Sequence, residues 1–188
     1  MTSPAIRRAT YEDVLAAPPH KVAEILDGVL HVSPRPAGPH CVAASTLGGE
    51  LGLPFHRGRG GPGGWLIIDE PELHLGGDIL VPDLASWRRA RLPKYPNAAF
   101  VTLAPDWVCE VLSPKTHGFD RVEKGAAYAR EGVQYLWLVD PQERTLETYE
   151  LIGGRWTALG SYVKAASVSH FDNGSQGFRR DTHWAAAQ

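Results

Sequence analysis

Cysteine, excess charge of one sign and long apolar runs are all scarce in this sequence, and each shortage removes a class of protein. Cys41 and Cys109 are the only two cysteines in 188 residues. They cannot build a disulfide framework and form none of the close pairs that mark zinc sites or redox motifs. A reducing compartment is the simplest expectation. No run approaches the roughly 20 apolar residues that span a bilayer, and Met1 to Arg8 lacks the apolar stretch of a signal peptide. A cytoplasmic location follows as an expectation. With 19 Lys and Arg against 21 Asp and Glu, the net charge is -2. That excludes a strongly basic polyelectrolyte binder while leaving room for a local basic patch.

What is present describes a folded domain. Hydrophobic residues make up 43% and charged residues 21%, a balance that argues against disorder, and the length suits a single domain, 1–188, with a core of its own. Thr10 with Asp13 resembles a capping box, so a short helix is expected over 11–17, stopped by Pro18 and Pro19. Asp27-Gly28 between 22–26 and 29–32 is a two-residue hairpin signal. Apolar residues recurring at three and four predict a helix over 40–53, and the glycine-rich stretch 57–64 reads as a flexible connector. Strands are expected over 65–69, 72–75, 79–87, 107–112 and 133–139, with a helix over 120–131 and a C-terminal antiparallel hairpin over 145–151 and 155–162. The stretch 173–188 is a weakly patterned tail.

Acidic residues inside apolar strands carry the chemical information. Glu110, in Trp107-Val-Cys-Glu-Val-Leu112, shares its strand face with Val108 and Leu112. A carboxylate placed there loses hydration and must be paired, protonated or bound to a cation. Asp83, in Leu80-Val-Pro-Asp-Leu-Ala85, poses the same problem. On neighbouring strands the two would suit Mg²⁺, which takes one or two carboxylates with water and substrate phosphate; a bland alternative is a loop cap or an arginine partner for each. Lys124 follows on the next helix, one turn after Asp120 and one turn before Tyr128. Spacing leaves two readings open, a surface pair with Asp120 or an ammonium aimed at the acidic site.

Pro82-Asp83, Glu110-Val-Leu-Ser-Pro114, Asp120, Lys124, Tyr128 and Gly132-Val-Gln-Tyr-Leu-Trp-Leu-Val-Asp-Pro141, with Glu24-Ile-Leu-Asp-Gly28 and His40 upstream, together resemble the signature of the Uma-two family of restriction-endonuclease-like proteins, within the PD-(D/E)XK nuclease superfamily. The likeness covers roughly residues 10–162. It implies an α/β (α+β) fold, a restriction endonuclease-like central mixed β-sheet flanked by helices, with an N-terminal hairpin. It also implies that Asp83 and Glu110 bind the metal. Leu112 stands where the plain motif has lysine, which makes Lys124 the replacement and Lys115 a nearby phosphate contact. Glu24 matches a family acid that completes the metal shell or orients water, and His40 is a candidate helper.

These parts would support hydrolysis of DNA phosphodiester bonds with Mg²⁺ or Mn²⁺ as cofactor. Arg88, Arg89, Arg91 and Lys94 follow the Asp83 segment and are candidates for phosphate contacts, with a solvated loop as the equal alternative. Two other classes stay open: a protein with the nuclease fold that binds nucleic acid without cutting, and an interaction protein that forms a homodimer through the exposed hairpin 145–162.

Overall fold

A computed structural model of the chain describes residues 7–163, 166–168 and 182–184. Helix α1 (Tyr11–Leu15) starts from Thr10, whose backbone N–H donates to Asp13 Oδ2 at 2.8 Å. It ends two residues earlier than the pattern predicts, ahead of Pro18 and Pro19. Strands β1 (Lys21–Leu26) and β2 (Val29–Pro34) form the expected hairpin. Asp27 and Gly28 both have positive φ, 52° and 82°, as a type I′ turn requires. Helix α2 (Pro39–Leu51) follows, extended by a π-helical turn, Gly52–His56.

The remaining strands are β3 (Trp65–Asp69), β4 (Leu73–Leu75), β5 (Asp78–Leu80), β6 (Leu84–Arg88), β7 (Trp107–Val111), β8 (Tyr135–Asp140), β9 (Thr145–Ile152) and β10 (Arg155–Val163). Six make one mixed sheet in the order β10-β9-β8-β7-β6-β3, in which only β7 and β8 run parallel. A parallel pair needs a crossover, and here it is supplied by the π-helical turn Phe119–Lys124 and helix α3 (Gly125–Arg130). Strand β3 lies at one edge, where Ile67 N–H donates to His56 Nδ1 at 3.0 Å and so blocks part of the free ladder. Beyond β10, two short strands, β11 (Ala166–Val168) and β12 (Thr182–Trp184), pair with each other. The rest of the expected tail 173–188 lies outside the described residues.

Side-chain alternation sorts the sheet into two apolar layers. Trp107, Cys109, Val111, Trp137 and Val139 pack on one face against Ala43, Leu47 and Leu51 of α2 and Phe55 of the turn after it. On the other face Ala85, Trp87, Val108, Leu136 and Leu138 meet Ala127 and Tyr128 of α3 and Leu73, Leu75 and Leu80. Each fully buried side chain of this size contributes about 1.5–3 kcal/mol. The second cover was not legible as a layer in the sequence. It combines α3 with a four-stranded antiparallel sheet, β2-β1-β5-β4.

One expected strand is divided. The run 79–87 splits into β5 and β6, which belong to different sheets. Pro82 has no N–H for a ladder bond, so the chain breaks there and crosses from one sheet to the other. Asp83 stands in the crossing rather than on a strand. The last parallel strand begins at Tyr135, two residues later than predicted, and the helix before it is π-helical in its first half. Among the described residues no helix is long and apolar enough to cross a membrane.

Candidate active site

The break at Pro82, the end of β7, the start of the crossover helix and the hairpin β1–β2 meet around one cavity of about 330 Å³. Glu24 from β1, His40 from α2, Asp83, Glu110 from β7, Lys115, Asp120 and Lys124 all line it. Strand alternation explains Glu110. Its neighbours Cys109 and Val111 enter the α2 layer, so Glu110 must face the crossover helix. It is 2% exposed.

Helix spacing delivers the partners. Lys124, also 2% exposed, places Nζ 2.9 Å from Glu110 Oε1, 2.9 Å from Glu24 Oε1 and 3.0 Å from the Val81 carbonyl oxygen, to which it donates. Three acceptors match the three N–H groups of an ammonium. Asp120, one turn earlier, is looser, its Oδ1 3.9 Å from Nζ. One turn later the Tyr128 hydroxyl donates to Glu110 Oε1 at 2.6 Å. Both contacts fall on one oxygen, leaving Oε2 outside them. Of the two readings left open by spacing, the buried, inward-pointing lysine is the one the fold adopts.

Asp83 is held from two sides. The Val111 N–H donates to Oδ2 at 2.7 Å, which ties Asp83 to the residue next to Glu110, and His40 Nε2 lies 3.2 Å from Oδ1. Glu24 Oε1 also accepts from Val81 N–H at 2.8 Å. Glu24 thereby links the hairpin to the segment that carries Asp83.

Charge in the cavity is unbalanced. Glu24, Glu70, Asp83, Glu110 and Asp120 line it against Arg35, Lys115, Lys124 and His40. Burial pushes the Glu110 carboxyl well above its usual range, with Asp120, Asp83 and Glu24 adding and Lys124 opposing. Asp120 is raised to about 6 by burial, against the pull of Lys124 and a Thr116 hydrogen bond. Burial alone would lower Lys124, yet Glu110, Glu24 and Asp120 outweigh it and hold the ammonium charged well above its ordinary value. His40 is likewise lowered by burial but raised overall by Asp83, Asp120 and Glu70. A site that retains protons to offset its own carboxylates is one that a divalent cation would suit. Among the described residues no three His, Cys, Asp or Glu side chains converge into a metal cage. Mg²⁺ does not need one, since it keeps several waters and takes one or two carboxylates; Asp83 and Glu110 fit that donor set.

Other expected residues fall elsewhere. Arg88, Arg89, Arg91 and Lys94 lie at or beyond the far end of β6 from Asp83, which extended backbone puts on the order of 17 Å away at Arg88, and none lines the cavity. Arg88 and Arg91 pair with the buried Asp106 at 3.2 and 2.9 Å, and Arg88 also covers the Trp65 ring. Arg89 donates to the Pro93 and His56 carbonyls. The sequence reading missed Arg35 and Glu70, which face each other across the cavity mouth at 3.5 Å. The Pro34-Arg35-Pro36 triplet was a signal for a rigid, exposed cation that had no assigned partner.

Comparison with known proteins bears on the family and the fold. The profile of the Uma2 family, described as "Putative restriction endonuclease", matches residues 9–177. No curated protein matches the chain. Among solved structures, a protein described as a putative nuclease from Anabaena variabilis superposes with a TM-score of 0.67 at 24% identity, covering 80% of this chain and 83% of that one. A likeness at that identity shows the fold.

Proposed function

The chain belongs to the Uma2 family of putative restriction endonucleases, and from that premise we propose that it is a metal-dependent endonuclease that hydrolyses phosphodiester bonds in DNA. The observation that carries this is the meeting of Asp83, Glu110, Glu24 and Lys124 in one cavity, with the lysine between two buried carboxylates. Asp83 and Glu110 are the residues that would hold Mg²⁺ or Mn²⁺, which when bound would supply Lewis acidity at the phosphate.

The chain's own groups have distinct parts. His40 and the Val111 N–H fix the Asp83 carboxylate, and Tyr128 fixes Glu110. Lys124 is the cation placed to offset negative charge that grows on the phosphate or to hold the attacking water. Its three N–H groups are already taken by Glu24, Glu110 and the Val81 carbonyl. Reaching water or phosphate therefore requires one of these acceptors to be exchanged, and Glu24 keeps the ammonium near the site while that happens. Pairing of two copies along β10, the terminal strand of the large sheet, is compatible with the same reading.

The saturation of Lys124 favours a second reading, a protein of nuclease fold that binds nucleic acid without cutting it. Incubation with single-stranded, double-stranded and branched DNA and with RNA, in Mg²⁺ or Mn²⁺, separates the two. DNA cleavage by the wild type that is lost in Asp83→Ala, Glu110→Ala and Lys124→Ala is the expected result. Cleavage that survives all three substitutions refutes the site, and binding without cleavage selects the second reading.

A further inference from the structure

The cavity that the nuclease reading assigns to catalysis is acidic inside, so a phosphate approaching it needs cations that the site does not already consume. Among the described residues four basic groups line it: His40, Lys124, Arg35 and Lys115. His40 is held by Asp83, and Lys124 by Glu24, Glu110 and the Val81 carbonyl. Lys115 is exposed and makes no ion pair among the described residues. Among the described residues Arg35 pairs only with the carboxylate of Glu70, at 3.5 Å, with more than half of its side chain in solvent. An exposed pair of that length contributes little and is exchanged at small cost.

The geometry points to Arg35 and Lys115 as a phosphate clamp at the cavity mouth, which binds the DNA backbone on either side of the bond to be cut. They come from different elements, Arg35 from the segment after β2 and Lys115 from the segment after β7, and both line the cavity. Both sit in backbone stiffened by proline, Arg35 between Pro34 and Pro36, Lys115 directly after Pro114. Restricted backbone lowers the entropy that each must lose on binding. Guanidinium and ammonium differ in kind here, since arginine can grip a phosphate with two parallel hydrogen bonds and lysine acts as a point charge. The clamp replaces the far end of β6 as the surface that contacts nucleic acid beside the reacting bond.

This clamp rests on the nuclease reading, and the test keeps the two apart. Binding of labelled duplex DNA by the full chain is followed by fluorescence anisotropy across a salt series, without divalent cation and with Ca²⁺, for wild type, Arg35→Ala, Lys115→Ala and Lys94→Ala. Each clamp substitution is expected to reduce the slope of log affinity against log salt by about 0.9, the loss of one phosphate contact, with an unchanged unfolding transition. Lys94→Ala is expected to keep the wild-type slope. Unchanged slopes in both clamp variants, or a reduced slope in Lys94→Ala alone, would overturn the clamp while leaving the nuclease reading intact. Wild-type protein that binds no nucleic acid under either condition would overturn both.

Discussion

Replacing Lys124 by methionine removes one buried charge, keeps a chain of similar length and supplies no donor. Two carboxylates that are themselves buried, Glu24 and Glu110, lose a partner at 2.9 Å, and the Val81 carbonyl loses its donor at 3.0 Å. Removing one member of a buried pair costs about 3–5 kcal/mol because the other charge is left uncompensated. For a chain of this length that lowers the melting midpoint by roughly 6–20 °C. The loss should depend on pH, and its sign follows from the raised carboxyls. Asp120 ionises near 3.8 when unfolded and at about 6 in the fold. Its contribution is therefore fully present below pH 3.8 and is lost as pH rises through about 6, a difference of about 3 kcal/mol at roughly 1.4 kcal/mol per unit. Lys124 holds both Asp120 and Glu110 down, so its removal moves the falling limb to higher pH and deepens it. Thermal unfolding of the two proteins at pH 5 and pH 7.5, each with and without Mn²⁺, measures this. The substitution should cost more at pH 7.5 than at pH 5, and Mn²⁺ should recover part of the loss. Equal midpoints at pH 7.5, or a deficit independent of pH, would refute the account of Lys124 as the counter-charge of this cavity.

Tyr128→Phe deletes the 2.6 Å hydrogen bond to Glu110 Oε1 and keeps the ring that packs in the core. If Glu110 holds metal as proposed, loss of such a support typically weakens metal binding at least tenfold; calorimetric titration with Mn²⁺ should read it, and unchanged affinity would remove Tyr128 from the proposed site. Gly61→Ala tests the glycine-rich stretch, where a Cβ would stand 2.3 Å from Pro54 Cβ and 2.7–2.8 Å from Pro54 backbone atoms. Overpacking against backbone costs about 1–3 kcal/mol, seen as a lower denaturant midpoint; a neutral substitution would mean that the stretch is the free connector its composition suggests.

Local chemistry decided much of this protein without reference to distant residues. Asp27-Gly28 and Gly153-Gly154 set their hairpins because a tight turn needs positive φ at both central positions. The apolar runs around Glu110 and Leu138 specified paired core strands, and the spacing of Asp120, Lys124 and Tyr128 put three polar groups on one helix stripe. An acid inside an apolar strand was itself a sign that a partner must meet it, since burial without one is too costly to persist, and Lys124 and Tyr128 meet Glu110. What tertiary structure alone decided is which way each of these groups looks and whom it meets. Lys124 could have faced water until the βαβ crossover turned its stripe onto Glu110. The run 79–87 alternates like one strand, and only its sharing between two sheets makes Pro82 a crossing and brings Asp83 to the cavity. The basic run after β6 looked adjacent to Asp83 in sequence, yet extended backbone carries it to the opposite end of the sheet, where Asp106 takes Arg88 and Arg91. Arg35, 48 positions before Asp83 in the chain, reaches the same cavity because the second sheet folds its hairpin over the end of β7. Sequence spacing measures path length along one element, and chemistry between elements depends on how their faces are turned toward each other.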